Sequence, residues 1–176
     1  MFSGMRDFKR KSDDFIHEYG EGVVRSRLFQ SGFRQAHHRV TTVADHSLNV
    51  AMASVSMGRV LERMHVRMDM QDLVLGALCH DLGILGRYQK FANSRQCCSG
   101  HPKESAAIAS TMIDGYDARI DNIIRCHMFP LTPVPPTCRE GVIVTLADKY
   151  CAVCERMLTF KGRRWKQRNE AFHYSA

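Results

Sequence analysis

The sequence predicts an all-α fold, a compact single-domain helical bundle of about six or seven helices. Three observations carry that reading. Apolar residues recur at helical spacing through most of the chain. No stretch alternates with the period of two that marks a strand. The breaks in periodicity fall at Gly- and Pro-containing stretches, with no boundary suggesting a second domain. Residues 1–176 therefore read as one domain, with a core at about 40–155 and a basic extension at 158–176.

Taken in order, residues 7–19 and 23–34 read as two short amphipathic helices separated by Gly20-Glu21-Gly22. Thr41-Thr42 caps a long helix to about residue 64, with Val50, Met57, Leu61 and Met64 in register. After a turn at 65–70, residues 71–85 form the most apolar helix, suited to a central buried position. Residues 86–100 are polar and read as a loop of the kind that covers a site. Pro102 suits the first turn of a helix beginning just after His101 and running to 112. A helix at 116–128 is stopped by Phe129-Pro130-Leu131-Thr132-Pro133-Val134-Pro135-Pro136. Thr137 caps a last long helix, through about residue 156.

An apolar fraction of 44% and a charged fraction of 24% argue against disorder. The N-terminus lacks the apolar stretch of a signal peptide, and no run is long enough to span a bilayer. A soluble, cytoplasmic protein with no membrane partner is expected. Seven cysteines, an odd number without an export signal, point to reduced thiols rather than a disulfide framework. Cys151 and Cys154 have CxxC spacing but lie within a predicted helix, where they read as small packing residues. The net charge of +7 favours anionic partners. Part of it sits in Lys161-Gly162-Arg163-Arg164-Trp165-Lys166-Gln167-Arg168, a solvated tail or, alternatively, a nucleic-acid contact.

The chemistry lies in Leu78-Cys79-His80-Asp81-Leu82-Gly83. An imidazole and a carboxylate at the end of an apolar run are costly to bury unless something binds them, and a metal cation is the commonest such partner. His46, His101, His127 and Asp148 add donors from other helices. Taken singly, each histidine has a mundane alternative as a hydrogen-bonded core residue, a cap or a surface residue. Asp148, which closes the run Val142-Ile143-Val144-Thr145-Leu146-Ala147, is harder to dismiss. Facing helices of a bundle build metal sites from such donors. His17, His65 and His173 stand in polar surroundings and serve as controls.

The order His46, His80-Asp81, Asp148 resembles the signature of the HD superfamily of metal-dependent phosphohydrolases, over about residues 40–155. His101-Pro102-Lys103 and Arg125-Cys126-His127 resemble the two extra histidines of members that bind two metals. The resemblance implies one metal on His46, His80, Asp81 and Asp148, and a second on His101 and His127, with Asp81 bridging the two as the catalytic carboxylate. The expected cofactors are two divalent transition-metal ions: iron, manganese, cobalt, nickel or zinc. Such ions supply an activated water for attack on phosphorus and neutralise the phosphoryl oxygens. Leu82-Gly83-Ile84-Leu85 lacks the acidic pair of members that cleave guanosine pyrophosphates and the lysine of the cyclic-dinucleotide branch. The diadenosine-polyphosphate branch shares the histidine order.

The leading expectation is hydrolysis of a phosphoester or phosphoanhydride in a small phosphorylated metabolite or nucleotide. Lys103, Lys149, Arg87 and His38 are the candidate substrate-binding residues. Two alternatives stand beside it: a di-iron oxygenase of the inositol-oxygenase type, and a non-catalytic module binding nucleotide or RNA.

Overall fold

The structure, a computed structural model, describes residues 2–37 and 40–160, with side chains described for 12–37 and 40–157. Helix α1 (Phe2–Arg25) passes through Gly20-Glu21-Gly22 without a break. The two short helices expected there are one long helix, followed by α2 (Arg27–Ser31) and a 3-10 turn at Gly32–Arg34. Packing is the reason. A Cβ at Gly20 would run into Leu78, so the glycine marks a close approach of two helices instead of a break.

Strands β1 (Ala36–His37) and β2 (Thr41–Thr42) form a small antiparallel hairpin. Two residues are too few for an alternating pattern to show in sequence. Thr42 then caps α3 (Val43–Arg63): the Asp45 amide donates to Thr42 Oγ1, and the Thr42 amide donates to Asp45 Oδ2, each at 3.1 Å.

Helix α4 (Met70–Cys79) is buried from Leu73 to Cys79, as a helix apolar on all sides must be. It packs against α1 and α3, and against α7 (Ala118–Cys126) and α8 (Arg139–Phe160). It ends earlier than its apolar run, because the chain turns at His80-Asp81 into a 3-10 turn at Leu82–Ile84. That turn lies on α6 (Ser94–Met112) so closely that a Cβ at Gly83 would strike the carbonyl of His101. The Gly83 amide donates to Ser105 Oγ at 2.8 Å.

Most of the polar stretch expected as a loop is helical. It holds α5 (Arg87–Lys90) and the start of α6, capped by Asn93, whose Oδ1 accepts from the Gln96 amide at 2.9 Å. Pro102 lies inside α6, not in its first turn. Among the described residues no helix is long and apolar enough to cross a membrane, and all seven cysteines are free thiols. His38 and the basic stretch at 161–168 lie outside the described residues.

Candidate metal centre

Where α4 stops, Asp81 is held between helices, only 4% exposed. Its two oxygens face different partners. Oδ2 lies 3.4 Å from His80 Nε2, 3.9 Å from His46 Nε2 and 3.6 Å from His37 Nε2. Oδ1 lies 3.2 Å from His101 Nε2 and 3.5 Å from His127 Nε2. Asp148, from the middle of α8, brings Oδ1 to 3.1 Å from His46 Nε2 and 3.9 Å from His80 Nε2. The six residues singled out in the sequence thus converge from α3, α6 and α8 and from the residues that follow α4 and α7. His17 and His65 are exposed and outside the cluster, and His173 lies outside the described residues.

Three rings have Nδ1 committed to a backbone carbonyl. Nδ1 of His80, His101 and His127 lies 2.7, 2.8 and 2.6 Å from the carbonyl oxygens of Ala77, Cys97 and Ile124. Each Nδ1–H donates to its carbonyl, which leaves Nε2 with its lone pair in the neutral ring. The Nε2 atoms of His101 and His127 nevertheless face each other at 3.0 Å, beside Asp81. The buried Nε2 of His80 has no hydrogen-bond partner. Lone pairs and carboxylates converging in this way repel unless a cation or added protons lie among them. The donor set, imidazole with carboxylate, is the one divalent transition metals favour. Three buried groups able to hold a metal overlap here: His37, His46 and Asp81; His46, His80 and Asp148; His80, Asp81 and His127.

Without a cation, protons must fill that role. Burial disfavours charge on His46, yet its hydrogen bonds to Asp148 and Glu155 prevail and raise its pKa to about 10. Burial likewise opposes charge on His101, but Asp81 lifts it to about 10. His127 is pushed down to about 4, first by burial and then by its neighbours His80 and His101, against the pull of Asp81. Burial would raise the Asp81 and Asp148 carboxyls, but the surrounding imidazoles hold both well below the usual carboxylate range.

Two residues were missed in the sequence. Glu155 is fully buried and accepts from His46 Nδ1 at 3.1 Å, from Thr41 Oγ1 at 3.0 Å and from Asn49 Nδ2 at 3.2 Å. It orients the His46 ring from behind, as partners of metal-ligating histidines do. Its signal was spacing: seven residues after Asp148 is two helical turns, hence the same face of α8. His37, and not only its neighbour His38, merited attention. The hairpin exposes Ala36 and buries His37 toward Asp81.

Above the cluster opens a cavity of about 570 Å³. Arg87 and Lys149 line it. Lys149 Nζ donates to Asp148 Oδ2 at 2.6 Å and to the His127 carbonyl at 2.9 Å. Arg87 lies over the Tyr88 ring, 4.7 Å from its centroid. Lys103 does not reach the cavity. Two residues beyond His101, it is turned to another side of α6 and is exposed.

The family model of the HD domain matches residues 43–153, well over half of the chain. The chain belongs to the HD domain family. HD domains bind divalent metals and are in general metal-dependent hydrolases. The matched span of this HD domain holds all six convergent residues, whereas His37 and Glu155 fall just outside it. No curated protein and no solved structure matches the chain.

Proposed function

We propose that this HD domain is a phosphohydrolase with two divalent metal ions, acting on a small phosphorylated metabolite or nucleotide. What supports the reading above all is Asp81, whose oxygens separate the donors into two sets. His46, His80 and Asp148 stand on the Oδ2 side; His101 and His127 stand on the Oδ1 side. One carboxylate shared in this way offsets the repulsion between two cations.

When bound, the metal pair supplies a water of lowered pKa and neutralises the phosphoryl oxygens. The chain's own residues do the rest. Glu155 accepts from His46 and keeps its Nε2 aimed inward. Lys149 engages Asp148 and the His127 carbonyl, and its third N–H is left for a phosphoryl oxygen. Met128 and Ile84, both buried, give the cavity apolar wall beside the cluster.

Metal analysis of protein purified without chelators should give two equivalents per chain. Phosphate release from p-nitrophenyl phosphate should fall about 10³-fold in Asp81→Asn. Turnover by that variant equal to wild type would refute the assignment, and a single equivalent of metal would refute the paired site.

A further inference from the structure

The cavity has two chemistries. Its floor is Asp81, His101 and Asp148, while Ile84, Tyr88, Phe91, Met128, Leu131 and Val153 form most of its walls. Tyr88, Leu131 and Val153 are 79%, 71% and 55% exposed, so core packing does not account for them; this cavity is what they share. The volume of about 570 Å³ far exceeds what a phosphate group needs. The walls' uncharged hydrogen-bonding groups are few: the Asn93 and Ser94 side chains, the weakly bonding thiols of Cys97 and Cys98, and the Tyr88 hydroxyl, which already accepts from Arg87 at 2.6 Å. The charged side chains above the floor, Arg87, Lys149 and Arg156, are all cations. Those cations only donate, so the several hydroxyl protons of a polyol entering here would give up water and find few acceptors above the floor, and each one left unpaired weakens binding severalfold or more.

We infer that the substrate's leaving group is apolar: a phosphate ester of an aryl or alkyl alcohol, rather than a sugar or polyol phosphate. Tyr88, Leu131 and Val153 are the residues that select it. The inference rests on the phosphohydrolase reading of the floor. Its step is the same one: water adds to phosphorus, the bond from phosphorus to the alcohol oxygen breaks, and the alcohol leaves with a proton beside inorganic phosphate.

Phosphonates test this without turnover, because hydrolysis does not cleave their C–P bond. Calorimetric titration of the metal-loaded protein with methyl-, propyl- and hexylphosphonate should show affinity rising about two- to fourfold per methylene. The phosphonate mimic of glucose 6-phosphate should bind at least about tenfold more weakly than hexylphosphonate. The double variant L131S/V153S should flatten the chain-length series; if it does not fold, the wild-type series still decides. A flat wild-type series, or the sugar mimic binding tightest, would overturn the inference, and p-nitrophenyl phosphate turnover would show the hydrolase reading intact. A steep series with no turnover would overturn the hydrolase reading and leave the apolar preference standing.

Discussion

Asp81 and Glu155 do different work with the same functional group. Asp81 faces the imidazoles directly, whereas Glu155 touches His46 on the nitrogen turned away from the centre. Glu155→Gln keeps the shape and removes the charge. It should weaken metal affinity by about 10–100-fold, read by competition with a chromophoric chelator. Unchanged affinity would reduce Glu155 to a packing role. Five of the six convergent residues were legible because each is a polar group set in or beside apolar sequence, where burial without a partner is costly; His101, in polar Ser99-Gly100-His101-Pro102-Lys103, was legible only through the resemblance to two-metal members. Glu155 was not, since Cys154-Glu155-Arg156 resembles any helix surface until the two-turn spacing from Asp148 is counted. His37 was obscured because a two-residue strand is too short to show alternation: only the hairpin reveals that its side chain is buried toward Asp81.

Between elements, contact distance decides what local chemistry cannot. Gly20 and Pro102 were both read as punctuation, yet both lie inside helices. Tertiary packing outweighs the modest intrinsic cost of a helical glycine. Element type and order were readable from periodicity, apart from the hairpin and α5; the boundaries depended on contacts made far along the chain. Gly83 tests this scale. A methyl group there collides with the α6 backbone at His101 and Ser105. Gly83→Ala should therefore cost about 1–3 kcal/mol by denaturant titration. Because His101 rides on that backbone, metal affinity should fall in parallel. Loss of stability with unaltered affinity would separate the turn from the site.

Across the whole molecule, stability should vary with pH through a second cluster, at the opposite end of α4 from the metal centre. Asp72 on α4 is faced by Asp69, by Asp117 and Arg119 at the start of α7, and by Glu140 of α8. Burial, then the charges of Asp69 and Asp117, raise its pKa from 3.8 to about 6, with Arg119 opposing at 3.2 Å. The folded state holds this proton more tightly than the unfolded one. Its contribution to stability is therefore full below about pH 4 and is lost as pH rises through 6. Asp72→Asn should gain about 1 kcal/mol at pH 7.5, a value held down by screening and by the lost Arg119 pair. That corresponds to roughly 2–4 °C in thermal midpoint, and the gain should vanish near pH 4. An equal gain at both pH values would remove Asp72 from the cause.

Asp81 meets side chains carried by α3, α6 and the ends of α4 and α7, and two of them, His46 and His80, meet Asp148 of α8, so a cation seated there would tie distant parts of the chain into one knot. The folded protein would then be as robust as its buffer allows. At a free metal concentration one hundred times the dissociation constant, the gain is about 2.7 kcal/mol. Melting curves recorded with and without a chelator should therefore differ by roughly 5–10 °C, with the midpoint climbing steadily as the logarithm of added metal.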